Sequence, residues 1–277
     1  MAIHPTAVID PSARLGRDVE IGPYAVIEGD TEIGDNCFID SFAKIARYTS
    51  VGADSRFYMG AYIGAEPQDH RFKPGIESRT IIGSGCTLRE YVTIHRSPFE
   101  RGITEVGDGT LLMAFVHVGH DARIGRFVTV ANQTGISGHV VIEDQAVLSA
   151  CILIHQFCRI GRLAMIGARA ILNRDVPPFA LLAENECIHG ANIIGLRRAG
   201  IPEANRTAIR EAIRTYFFRG LNGINALKEI ESGNPLPEIR HFADFIRQST
   251  RGMMPGDPKI IATLSRGAVP DAPAASE

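Results

Sequence analysis

Cysteine is scarce in this sequence and poorly spaced for its structural uses. Cys37, Cys86, Cys151, Cys158 and Cys187 form neither paired knuckles nor a dense disulfide framework, so buried thiols are expected. An excess of one charge is missing too. With 29 Lys and Arg against 31 Asp and Glu, the formal net charge is -2, which gives no electrostatic reason for nucleic acid or an anionic membrane as the main partner. Only a local patch escapes that argument. Long apolar runs are also lacking. No stretch approaches the roughly 20 apolar residues that span a bilayer, and Met1-Ala2-Ile3-His4-Pro5 lacks the positive and apolar regions of a signal peptide. The expectations are no transmembrane segment and a cytoplasmic location. What remains is 45% apolar and 22% charged over 277 residues, enough for one or two compact domains with a large core.

The informative presence is a repeat. From Ile3 an aliphatic or aromatic residue returns every six positions, through Ile9, Leu15, Ile21, Ile27, Ile33, Ile39, Ile45, Val51, Phe57 and Ile63. Glycine often follows it, and the fifth position is usually small or β-branched, as at Ala13, Val19, Ala25, Thr31 and Cys37. The phase breaks over Pro67 to Ile81, resumes at Ile82, Leu88 and Ile94, breaks again over Phe99 to Glu105, then runs unbroken from Val106 to Leu172. A helix would repeat near 3.6 residues, and an alternating α/β chain would show helical stretches between strands; neither pattern fits. A short strand turning a corner every six residues makes a three-sided coil, stacked about 4.8 Å above the last. The reading is all-β, a parallel β-helix, with left-handedness taken from resemblance to hexapeptide-repeat proteins because ordinary crossovers are right-handed.

The β-helix is expected over residues 1–190, with inserted loops near 67–81 and 99–105. After Val176-Pro177-Pro178 the repeat stops, and residues 191–255 read as a small α-helical domain. Its first helix starts at Pro202-Glu203, buries Ile209, Ile213, Tyr216 and Phe217, and ends near Gly220; others are expected from about Asn225 to Glu231 and from Pro237 to Ser249. Residues 256–277 read as a disordered tail.

Counting in threes gathers residues that are far apart in sequence. The units beginning at Ile63, Ile94, Val118, Ile136 and Ile154 share one face if each loop returns without skipping a side. His95, His120, His139 and His155 then lie along one edge beside both loops, with His117 just before Val118. Each alone reads most simply as a surface histidine; their alignment points to a site. In His120-Asp121 an imidazole can take a proton from an alcohol while a carboxylate orients the ring. Zinc would need three or four ligands converging at roughly 2.0 Å, whereas these histidines read as a line several coils long, so no metal is expected. The loop with Gln68, Asp69, His70 and Arg71 could read sugar hydroxyls or phosphate oxygens, and Arg197-Arg198 could hold phosphate, although solvated polar surface explains both.

These residues carry a resemblance. Pro67-Gln68-Asp69, Val92-Thr93-Ile94-His95-Arg96, Leu111-Leu112-Met113, His117-Val118-Gly119-His120-Asp121, Ser137-Gly138-His139, Ile154-His155-Gln156-Phe157-Cys158, Asp175-Val176-Pro177-Pro178, Asn192-Ile193 and Ser249-Thr250-Arg251-Gly252 are similar, in this order, to segments of the acyl-ACP:UDP-N-acetylglucosamine O-acyltransferases that begin lipid A biosynthesis. The resemblance implies a homotrimer with no bound cofactor, an acyl carrier protein thioester as co-substrate and UDP-N-acetylglucosamine as acceptor. It implies His120 as general base and the Gly138 N–H as oxyanion donor. Gln68, Asp69, Arg71, His95, His117, His139, His155, Gln156, Asn192 and Arg198 would line the nucleotide-sugar site, and Ala168 would lie on the acyl-chain channel.

Departures from the family pattern fall near the expected sugar and phosphate contacts. Ile194 and Ala199 stand where the family commonly has Glu and Arg, and Glu184-Asn185-Glu186-Cys187-Ile188-His189 is one residue shorter than usual. N-acylation of an amino sugar, an acetyl-CoA-dependent acetyltransferase and a non-enzymatic sugar-nucleotide-binding scaffold are the competing readings. Arg206, Arg210 and Arg214 recur every four positions, either as a docking strip for an acidic carrier protein or as a solvated helix face.

Overall fold

A computed structural model describes residues 2–232 and 236–265. Short parallel strands form three sheets of eleven, nine and eight strands, here sheets I, II and III, visited in rotation. Ile21, Ile39, Phe57 and Leu88 follow one another in register on sheet I, and Ile27, Ile45, Ile63, Ile94, Val118, Ile136 and Ile154 on sheet II. The molecule is a left-handed parallel β-helix with a small helical part after it. Its core is the stack of inward residues, almost all buried from Ile21 onward. Burial of each such aliphatic side chain is worth roughly 1.5–3 kcal/mol. No coil covers the first one among the described residues, and Ile3 stays 42% exposed.

Corners need a left-handed residue. At most of them a non-glycine side chain takes φ near +60°, including Tyr24, Phe42, Tyr91, Phe115, Asp121, His139 and Phe157. Such a conformation costs about 1–2 kcal/mol per residue, offset by ladder bonds to the neighbouring coils, and it directs the side chain outward. Tyr24 stacks on Phe42 at 5.3 Å and Tyr91 on Phe115 at 5.2 Å. At Gly60, between those pairs, a Cβ would lie 2.6 Å from the Tyr91 ring.

Both inserted loops leave sheet II and return on sheet III, as the counting required. They are shorter than the broken periodicity implied. Arg79–Ile82 and Ile103–Val106 are already strands and pair residue for residue; these four-residue strands hide from a six-residue count because only Ile82 and Val106 are in phase. The thiol expectation holds for Cys37, Cys86 and Cys158, whereas Cys187 is half-buried and Cys151 exposed. Cys151 occupies a left-handed corner, φ 60°, which faces outward.

The C-terminal end is closed by Ala180–Leu182, parallel to Met165–Ile166, and by the antiparallel strand Ile188–Ala191. Among the described residues five helices follow, α1 Ile193–Arg198, α2 Glu203–Phe218, α3 Gly223–Ile230, α4 Pro237–Arg247 and α5 Pro258–Ser265. Ile209 and Ile213 of α2 are buried as expected, with Ala212, Thr215 and Phe218, while Tyr216 and Phe217 are half-buried. The periodicity missed α1, which is too short to show a stripe. It also started α3 late, because Asn222 caps that helix by accepting from Asn225 N–H at 2.9 Å.

The expectation of disorder from residue 256 is wrong for its first part. Pro258–Ser265 is helical, and buried Asp257 accepts the Lys259 N–H at 2.7 Å at its start. Ile260 and Ile261 pack against the core. The Pro- and Ala-rich end dominated the composition of this stretch, and residues 266–277 lie outside the described residues. No described helix is long and apolar enough to cross a membrane.

Candidate active site

The two loops and the histidine edge meet where sheet II turns into sheet III. A cavity of about 420 Å³ runs along this face, lined among others by Gln68, His95, His117, His120, Gly138, His155 and Gln156. A second cavity of the same size lies among α2, α3 and α4 and contains no histidine.

His120 is the centre of the first. It is 7% exposed, with Nδ1 2.8 Å from Asp121 Oδ2. A carboxylate only accepts, so Nδ1 carries a proton, and in the neutral ring that tautomer leaves the lone pair on Nε2. Nε2 faces Asp69 Oδ2 at 3.5 Å, beyond a good hydrogen bond. Asp69 itself is engaged by Arg71, whose Nη2 lies 2.6 Å from Oδ2 and whose backbone N–H donates at 2.8 Å to Oδ1. Those hydrogen bonds, side chain first, hold the Asp69 carboxyl well below the usual carboxylate range. Arg71 also lies over the Phe99 ring at 4.8 Å, joining the two loops.

Gly138 shows why its position must lack a side chain: a Cβ there would sit 2.7 Å from His120 Nε2. His139 meets His120 edge-to-face at 5.1 Å, stacks on Phe157 at 4.6 Å and has Nε2 3.8 Å from Asp121 Oδ2. His95 and His117 are edge-to-face at 4.7 Å, and His117 Nδ1 shares a 2.8 Å hydrogen bond with Thr93 Oγ1. Burial, followed by the neighbouring His117 and His120, pushes His95 down to about 4. Burial and His120 also lower His117; partial burial lowers His139 against the opposing pull of Asp121. His155 and Gln156 are exposed at the far side.

His120 and His139 are neighbours, ring centroids 5.1 Å apart, as one coil of rise allows. One ligand atom each from His120, Asp121 and His139 lies within 4.8 Å of the others. Asp121 Oδ2 is hydrogen-bonded to His120 Nδ1 in this arrangement.

Of the expected residues, Asp69, Arg71, Asp121 and His139 stand around His120 without lining the cavity, whereas Asn192, Arg198 and Ala168 neither line it nor contact His120. Asn192 is buried, donates to Leu163 O at 2.9 Å and caps α1 by accepting from Gly195 N–H at 3.0 Å. Arg198 is exposed at the end of α1, and Ala168 is half-buried at a corner just before Ile171–Leu172. The sequence reading missed the cavity floor. In the outward column of sheet II, Thr93, His117, Gly135, Leu153 and Ile171 pair in succession. Leu153 and Ile171 are 56% and 54% exposed. Two large apolar residues at outward positions were the available signal.

Comparison with known proteins agrees with this geometry. Residues 175–254 match the family described as Udp N-acetylglucosamine O-acyltransferase, Domain 2, and residues 103–138 match the bacterial transferase hexapeptide family, six repeats. The Acyl-[acyl-carrier-protein]--UDP-N-acetylglucosamine O-acyltransferase of Halorhodospira halophila is 40% identical over 255 residues, covering 91% of this chain and 98% of that protein. The solved structure of a UDP-N-acetylglucosamine acyltransferase from Bacteroides fragilis superposes with a TM-score of 0.88 at 42% identity, covering 91% of this chain and 99% of that one. The corresponding Francisella novicida structure gives 0.88 at 33% identity, covering 99% of each chain. With prism, helical end and histidine edge all present, this chain belongs to the acyl-[acyl-carrier-protein]–UDP-N-acetylglucosamine O-acyltransferase family.

Proposed function

We propose that this chain transfers a fatty acyl group, a 3-hydroxyacyl group by family resemblance, from acyl carrier protein to the 3-hydroxyl of UDP-N-acetylglucosamine. The observation that carries this reading is the cavity floor. It begins at imidazoles held beside a carboxylate, passes Gly135 and ends on Leu153 and Ile171. A polar head thus meets an apolar track about 10 Å long from Gly135 to Ile171, two coil spacings of about 4.8 Å each. An acetyl donor would leave that track unused.

His120 Nε2 removes the proton of the sugar hydroxyl as its oxygen attacks the thioester carbonyl carbon. Asp121 steadies the resulting imidazolium through Nδ1–H. The Gly138 N–H donates to the tetrahedral oxyanion, which is worth about 3–4 kcal/mol for a preorganised donor. The C–S bond then breaks, and the proton held on His120 passes to the leaving thiolate. No acyl-enzyme forms and no metal enters. Gln68, Asp69, Arg71, His95, His117, His139, His155 and Gln156 position the nucleotide sugar, and neutral His95 and His117 fit a site that reads hydroxyls.

Arg198 is exposed outside its own chain's cavity, so in this reading it reaches the cavity of a neighbour in a homotrimer, with Ala168 bordering the acyl track, while buried Asn192 holds the start of α1. Arg210 and Arg214 are exposed on α2, and Arg206 is half-buried with its guanidinium donating to Ile201 O; this strip attracts the acidic carrier protein in the cytoplasm. Ile194, exposed on α1 where the family commonly has an acid, favours testing amino-sugar acceptors alongside. Purified protein offered acyl carrier proteins of several chain lengths and both acceptor types should yield acyl-UDP-sugar by mass spectrometry. Absence of product across the whole matrix, with intact sugar-nucleotide binding, would favour a binding scaffold instead.

A further inference from the structure

The carboxylate beside His120 sits on a corner whose amide is held by a side chain. Asp121 has φ 59°, a conformation that costs a non-glycine residue about 1–2 kcal/mol and therefore depends on what holds its backbone. At three other corners of this edge the amide donates to a carbonyl of the preceding coil, Tyr48 N–H to Asp30 O at 3.2 Å, His139 N–H to His120 O at 3.0 Å and Phe157 N–H to Gly138 O at 3.3 Å, while at the Asp30 corner, in the second coil, the acceptor is the hydroxyl of Ser12 at 3.1 Å. In the coil before Asp121 the chain leaves the prism through residues 96–102 and returns on Ile103–Val106. No ordinary corner lies beneath. The Asp121 amide instead donates to the side-chain oxygen of Thr104, at 2.8 Å.

Thr104 is fully buried and pairs in register with Thr80, which pairs with Thr49. In the later coils the equivalent inward place is held by Ala122, Val140 and Cys158. Threonine holds this column from Thr31 through the two coils that carry the loops and is replaced beyond them. The chain of contact is short: Thr104 Oγ1 to the Asp121 amide, then Asp121 Oδ2 to His120 Nδ1 at 2.8 Å.

We propose that Thr104 is a positioning residue for the general base, replacing the corner carbonyl that the inserted loop removes and so aiming Asp121 at His120. This rests on the reading of His120 as base. Thr104 does not touch the cavity, so its effect belongs to turnover and not to sugar binding.

Thr104→Val keeps the shape and removes the acceptor. It should lower kcat about tenfold, the scale of one lost hydrogen bond felt in the transition state, with KM for UDP-N-acetylglucosamine within about twofold. Thr104→Ser should restore most of the turnover. In an Asp121→Ala background, adding Thr104→Val should cost nothing further, because the path is already cut. Should Thr104→Val not fold, Thr104→Cys, a weak acceptor, takes its place in the comparison with serine. Unchanged kcat in Thr104→Val, or the same loss with and without Asp121, overturns the proposal. His120→Ala run alongside separates the two levels: if it turns over normally the base reading fails and the proposal with it, whereas an inactive His120→Ala beside a fully active Thr104→Val removes only the role of Thr104.

Discussion

Two edges of the prism use the same corner geometry for different ends. Where sheet I turns into sheet II, Tyr91 and Phe115 take φ of 58° and 63° and stack at 5.2 Å. Where sheet II turns into sheet III, His139 and Phe157 take φ of 60° and 66° and stack at 4.6 Å. His139 is thus a rung of an aromatic ladder with one ring exchanged for imidazole. The first edge is uninterrupted and solvated. The second carries both inserted loops, which bring Asp69, Arg71 and Phe99 over the histidines. A corner becomes a site when something covers it: enclosure lowers the local dielectric and makes each charge and hydrogen bond count for more.

Changes on the covered edge should reach chemistry, and the largest follows removal of the base. His120→Ala should lower turnover about 10²-fold or more, read as single-turnover acyl transfer, and a near-normal rate would erase the distinction between the edges. Next comes Gly138→Ala. Its methyl would fall 2.7 Å from His120 Nε2, so kcat should drop about tenfold or more while the fold survives, as a displaced base loses alignment; an unchanged rate would show that the imidazole is free to move aside. Reversing charge at Arg206, Arg210 and Arg214 should raise KM for the carrier protein several-fold, and more at low salt than at high. Equal KM at all salt concentrations would exclude docking there.

Two smaller effects sharpen the comparison. His95 titrates at about 4 in the folded chain because burial disfavours its charge, against 6.5 ordinarily. The unfolded chain therefore binds more protons between those values, and stability present above about pH 6.5 should be lost as pH falls toward about 4. Melting temperatures should show that decline in the native protein and a flatter one in His95→Asn. On the open edge, Phe115→Ala should cost about 0.5–1.5 kcal/mol of stability through the lost stack and leave kcat and KM unchanged; a turnover defect there would mean that this edge, too, takes part.

Much of this was legible beforehand because six-residue periodicity is a local property. Each unit makes one side and one corner, so dividing by three assigned Ile63, Ile94, Val118, Ile136 and Ile154 to one sheet without any knowledge of packing. The amphipathic stripe of α2 was readable for the same reason. Short α1 and α5 were not, because one or two turns carry no period, and their positions depend on caps at Asn192 and Asp257.

By itself, then, the sequence determined the prism, its three columns and the edge that the histidines share, since the inward aliphatic residues leave the backbone one economical way to bury them. The tertiary structure alone decided which imidazole meets Asp121, that Thr104 holds that aspartate, and that Asn192 faces inward as a cap and not toward its own cavity. Those outcomes depend on where the loops re-enter and how side chains lean between coils, and neither quantity repeats every six residues.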